Sequence, residues 1–94
     1  MKEKIMTLHP EGKQGVNISK RKYELVKEFI IATLSKNESI TFKQLTVLAN
    51  QELNEAFDGK VTWYLVTVKL DLEARAIIER IPNSSPQELR LLKK

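Results

Sequence analysis

An α+β fold, three helices closed by a small antiparallel sheet, is the class this sequence predicts, and three observations predict it. Apolar residues recur at helical spacing in three stretches, beginning near Ser19, Phe42 and Lys60. A Phe57-Asp58-Gly59 turn separates the second stretch from the third. Two short strand-like runs, Ala76–Ile81 and Glu88–Leu92, then bracket the polar loop Pro82-Asn83-Ser84-Ser85-Pro86. Residues 1–18 read as an N-terminal arm packing on a domain formed by residues 19–94.

The arm carries two apolar clusters, Ile5/Met6/Leu8 and Val16/Ile18, around a segment whose Pro10, Gly12 and Gly15 favour turns. A short strand over 4–8 is expected. Ser19 is a fitting N-cap for the first helix, because its hydroxyl can accept from an otherwise unpaired amide one turn in. Tyr23, Val26, Ile30 and Leu34 form that helix's apolar face, widened by Leu25, Phe29 and Ala32, and it runs to Ser35. Thr41 and Gln44 have capping-box spacing at the start of the second helix, and Ile40 with Leu45 takes the two positions of a hydrophobic staple. Phe42, Leu45, Leu48, Ala49, Leu53 and Ala56 share its inner face.

The third helix, Lys60 to Ala74, is apolar on two sides. Val61, Leu65, Val68 and Leu72 make one stripe, with Tyr64 beside it; Trp63, Val66 and Leu70 make a second on roughly the opposite side. A helix of that kind is normally covered twice. In the last segment, β-branched Ile77, Ile78 and Ile81 face Leu89, Leu91 and Leu92 as a hairpin.

Thr67–Ile81 resembles the end of the recognition helix and the first wing strand of bacterial winged helix-turn-helix regulators, where a leucine-bearing helix leads into a small residue, two aliphatics and an acidic-basic pair. Ile40–Leu45 resembles the start of their second helix. The likeness spans residues 19–92. The arm, with Leu8-His9-Pro10 and Gly12–Ile18, lies outside the general pattern and is similar to a small bacterial family of that fold with no assigned activity. The resemblance implies a winged-helix domain with a C-terminal wing hairpin, contact with double-stranded DNA through the third helix and the wing, a role in transcriptional regulation, and no catalytic residues.

Composition narrows the functional classes. The absence of Cys excludes disulfides and thiolate metal sites, and a single His excludes a multi-histidine one. No run approaches a membrane span, and the first residues lack the apolar core of a signal peptide. A cytoplasmic, non-catalytic protein without cofactor or metal is expected. The net charge of +4 is unevenly placed. Residues 1–36 hold eight Lys/Arg against four Glu, residues 37–75 four against six acids, and residues 76–94 four against two. The helix pair that would meet DNA is therefore net acidic.

Candidate backbone-contacting cations are Lys20, Arg21, Lys22, Lys60, Lys69, Arg80 and Arg90. Two groups among them have plainer readings: Lys20-Arg21-Lys22 as a solvated first turn, and the cluster of Arg80, Arg90, Lys93 and Lys94 as protection of an exposed strand edge. If Arg80 and Arg90 pair across the hairpin, they form a basic rim. The third helix offers no Asn or Gln, and its only Arg, Arg75, sits at its end, whereas base edges are read chiefly by Arg, Lys, Asn and Gln. Trp63, Val66 and Leu70 are the candidate interaction face for a homodimer or another protein; their simpler fate is burial under the arm's Ile5, Leu8, Val16 or Ile18. Gly12-Lys13-Gln14-Gly15 lacks the pattern of a phosphate loop and reads as a surface turn. His9 reads as a turn residue, and Glu52, Glu55, Asp58, Asp71 and Glu73 as solvated helix faces. Two functions stay open: DNA association, placed first by the fold's usual role, and a protein-interaction or dimerisation module that binds no DNA.

Overall fold

Cap chemistry sets the first two helix starts. α1 (Lys20–Lys36) begins behind Ser19, whose Oγ accepts from Lys22 N–H at 3.4 Å. α2 (Phe42–Phe57) opens with the reciprocal capping box: Gln44 N–H donates to Thr41 Oγ1 at 3.1 Å, and Thr41 N–H donates to Gln44 Oε1 at 3.2 Å. The staple pair, Ile40 and Leu45, is buried beneath it. The computed structural model describes residues 3–13, 15–57, 60–83 and 85–92, the side chains of 54–56 excepted. The expected Asp58-Gly59 turn, Gln14, Ser84, Lys93, Lys94 and the side chains of Glu55 and Ala56 lie outside the described residues.

α3 (Val61–Ala74) turns its first stripe inward: Val61, Leu65, Val68 and Leu72 are all fully buried. They meet Tyr23, Val26 and Ile30 of α1 and Leu45 and Ala49 of α2 in one core. Burying each large aliphatic contributes roughly 2 kcal/mol, which is why this stripe fixes the helix's rotation. α3 ends in a Schellman arrangement, with Ile77 N–H on Leu72 O (2.9 Å) and Ala76 N–H on Glu73 O (3.1 Å). Ala76 takes the left-handed conformation (φ 59°) that glycine usually fills there.

Two small antiparallel sheets flank the helices. The first pairs β1 (Lys4–Met6) with β2 (Asn17–Ser19), Ile5 opposite Ile18. The expected strand is therefore shorter than 4–8, and its partner is the Val16/Ile18 cluster. The second has the order β3-β5-β4, from β3 (Ile40–Thr41), β4 (Ile78–Arg80) and β5 (Glu88–Leu91). The C-terminal hairpin is as expected. The two-residue strand β3, which joins β5 at Ile40↔Leu89, was not. Ile40, Ile78 and Leu89 seat this sheet in the core.

The register corrects the expectation of a basic rim. Arg90 stands opposite Glu79, and Arg80 opposite Leu89. Arg90 Nε lies 2.6 Å from Glu79 Oε1, so the position across from Arg90 holds a carboxylate, not a second guanidinium. A one-residue difference in pairing sends every side chain to the other face.

Candidate interaction surface on the third helix

Asp71 organises the side of α3 that faces α1 and the arm. Read from sequence as a solvated carboxylate, it is fully buried. Oδ2 accepts from the Tyr23 hydroxyl of α1, Oδ1 accepts from Leu8 N–H of the arm at 2.8 Å, and Arg75 Nε reaches both oxygens at 3.0 and 2.9 Å. A buried carboxylate is tolerated only with such partners. Burial, followed by the hydrogen bond to Asp71, raises the Tyr23 phenol above its ordinary pKa. The same carboxylate's hydrogen bond raises the pKa of Arg75. This cluster fastens the arm to the α1/α3 corner, so the arm does not lie over the second apolar stripe of α3.

That stripe is open. Trp63 is 50% exposed and Val66 36%, while Leu70 is half-buried. Burial of Trp63 and Val66 under the arm is thereby overturned. Trp63 stands edge-on to Tyr64, ring centroids 5.0 Å apart at 89°, and Tyr64 leans on Phe57 at 4.9 Å. The edge-on contact braces the indole from one side and leaves its other face available. Thr62 and Thr67 complete the outer surface, which carries no charge over two turns.

The seven predicted cations scatter. Lys69 is only 7% exposed: its ammonium lies 2.9 Å from Glu73 Oε2 and 5.3 Å from the centre of the Phe42 ring. The Glu73 side chain is only 8% exposed, against the expectation for it, and also takes Arg80 Nε at 3.2 Å. Its Oε2 accepts no hydrogen bond despite the nearby ammonium. Lys20 pairs with Glu3 at 3.2 Å, and Arg90 with Glu79. Arg21 is exposed on the first turn of α1. Lys22 and Lys60 do share a neighbour in Phe57. Lys22 Nζ sits 5.1 Å from the Tyr64 ring centre and 5.8 Å from that of Phe57, and Lys60, at the N-cap position of α3, donates its N–H to Phe57 O. Sequence spacing could not have shown that shared neighbour, because the two lysines are far apart in the chain.

Other candidates are simpler. His9 serves its turn: Nδ1 accepts from Glu11 N–H at 3.1 Å, and His9 O accepts from Gly12 N–H. The neighbouring Lys13, hydrogen-bonded to Glu11, holds that carboxyl below its ordinary pKa. Gly15 is demanded by packing, since a Cβ there would lie 1.7 Å from Thr7 O. A cleft of about 430 Å³ between Glu38, Glu79, Arg90, Leu91 and Leu92 is open to solvent, and its Arg90 is neutralised by Glu79. Among the described residues, no group of three His, Asp or Glu side chains is placed to hold a metal ion, and no helix is long and apolar enough to cross a membrane.

A domain of three helices with an aromatic-aliphatic face left open on the third is the class of protein these observations define. The chain belongs to DUF6958, a family of unknown function, which matches residues 4–89. No curated protein and no solved structure matches it.

Proposed function

We propose that this chain is a winged-helix domain working as a protein-interaction module, with the outer face of α3 as its contact surface. The winged-helix reading is supported by the element order α1-β3-α2-α3-β4-β5 and by the sheet order β3-β5-β4, with β5 returning to lie between the other two strands. The choice of a protein partner rests on one observation: the half-exposed indole of Trp63, beside Val66 and Leu70, occupies the face that a groove-reading helix would fill with Arg, Lys, Asn or Gln. Exposed aromatics of this kind anchor protein contacts. Four of the seven cations that would serve a DNA backbone, Lys20, Lys69, Arg80 and Arg90, already have carboxylate partners within the chain. DNA association in transcriptional regulation remains the competing reading and is favoured by the topology.

Site-specific crosslinking separates the two. With a photoreactive benzoylphenylalanine in place of Val66, irradiation in cells is expected to give a discrete protein adduct that Leu70→Glu abolishes. The same group in place of the exposed Lys43 of α2 should give none. Crosslinks from position 66 to DNA, together with duplex binding that falls steeply between about 50 and 200 mM salt, would sink the proposal in favour of DNA association.

A further inference from the structure

Resting on that reading, we infer that the partner is an acidic amphipathic segment of another protein, its apolar side chains seated along Trp63, Val66 and Leu70 and its carboxylates at the Lys22/Lys60 end. Six basic side chains, those of Lys13, Lys20, Lys69, Arg75, Arg80 and Arg90, are matched by acids within the chain. Seven other described basic side chains, Lys4, Arg21, Lys22, Lys27, Lys36, Lys43 and Lys60, have no carboxylate ion pair, and of these Lys22 and Lys60 adjoin the start of α3. Both sit at the N-terminal end of α3, where Lys60 precedes Trp63 by one helical turn and Lys22 lies over Tyr64, the ring against which Trp63 stands. The first turn of α3 contains no acidic residue, so its dipole adds to the positive potential there.

The surface thus has two parts in line: an uncharged apolar strip and a positive head. From Trp63 to Leu70 the strip extends about 10 Å, the reach of two helical turns. A segment with aliphatic side chains at i, i+3/i+4 and i+7 matches that length. A second copy of this chain is a poorer occupant, because each copy would bring the same unmatched lysines and a net charge of +4. A nucleic acid is also poorer, because its phosphates would lie along two turns of α3 that offer no cation.

The test is selection of a displayed library of random peptides on the immobilised full chain. Trp63, the only tryptophan, then reports binding of the winning peptides in solution. The expected winners carry several Asp or Glu beside helically spaced aliphatics and shift Trp63 emission to the blue. They lose binding to Leu70→Glu and bind the Lys22→Glu/Lys60→Glu double variant at least roughly ten-fold more weakly. Circular dichroism of both variants should match the parent, since the side chains changed are exposed or half-buried. Winners without net negative charge, or acidic winners indifferent to the lysine reversal, overturn the acidic partner and leave the α3 face standing. Failure to obtain any peptide sensitive to Leu70→Glu overturns the partner and the face together. A short single- or double-stranded oligonucleotide that competes with the peptides and binds more tightly also overturns the inference.

Discussion

The two hairpins of this molecule are held in opposite ways. The C-terminal hairpin is held by its side chains: Ile78 and Leu89 are fully buried in the core, and β3 adds a third strand at Ile40↔Leu89. The N-terminal hairpin also inserts Ile5 and Ile18, but its fastening is polar. Thr7 donates N–H and hydroxyl to Val16 O at 2.9 and 3.1 Å, its Oγ1 accepts from Val16 N–H at 3.0 Å, and Leu8 N–H reaches Asp71. Apolar burial is forgiving of small shifts, whereas a buried polar fastening depends on every partner being present. The N-terminal hairpin should therefore be the more easily broken of the two, and by single atoms.

The largest break is expected at Asp71. Asp71→Ala leaves the Tyr23 hydroxyl and the Leu8 amide without an acceptor and should lower unfolding free energy by about 3 kcal/mol, measured by urea denaturation. Arg75 is partly exposed, so its share of the ion pair is screened and contributes the lesser part. Gly15→Ala comes next, at about 2 kcal/mol, because the new methyl collides with Thr7 O. Its effect should be local: hydrogen exchange speeds up at the Thr7 and Val16 amides and stays unchanged at Ile81 and Leu92, which bond across the C-terminal hairpin. If exchange rises equally in both hairpins, the two are not independently fastened.

The smallest effect is a pH dependence. The phenol pKa of Tyr23 is raised in the folded state, so the folded chain keeps a proton that the unfolded chain releases. That contribution is fully present below the unfolded value of about 10 and declines as pH rises beyond it, by at most ~1.4 kcal/mol per pH unit. Urea titrations at rising alkaline pH should show the decline in the wild type and a shallower one in Tyr23→Phe. Equal slopes would remove Tyr23 from the account.

Legibility in the sequence followed the same division. Features set by local chemistry were readable: the Ser19 cap, the Thr41/Gln44 box, the inner stripe of α3 and the C-terminal hairpin, where β-branched residues and bracketing prolines leave a short-range pattern. Features set by distant partners were not. Nothing around Asp71 shows that Tyr23 and Leu8 will reach it, so a carboxylate next to Leu70 and Leu72 reads as surface. Lys69 likewise reads as a free cation until Phe42 and Glu73 are placed around it. β3 is too short to leave an alternating pattern. The candidate contact face was visible as Trp63, Val66 and Leu70, but its openness depended on where the arm docks. Lys22 reaches its head only through the packing of α1 on α3.

Strand order also governs when this molecule can be finished. β5 lies between β3 and β4, yet it follows both along the chain. On a ribosome, Ile40 and Ile78 emerge with no strand to bridge them until Leu89 arrives. At roughly 5–20 residues per second, the strand containing Ile40 waits several seconds for its neighbour. Helices can coil during that interval, but closure of the sheet is a late event that draws three separated stretches together at once.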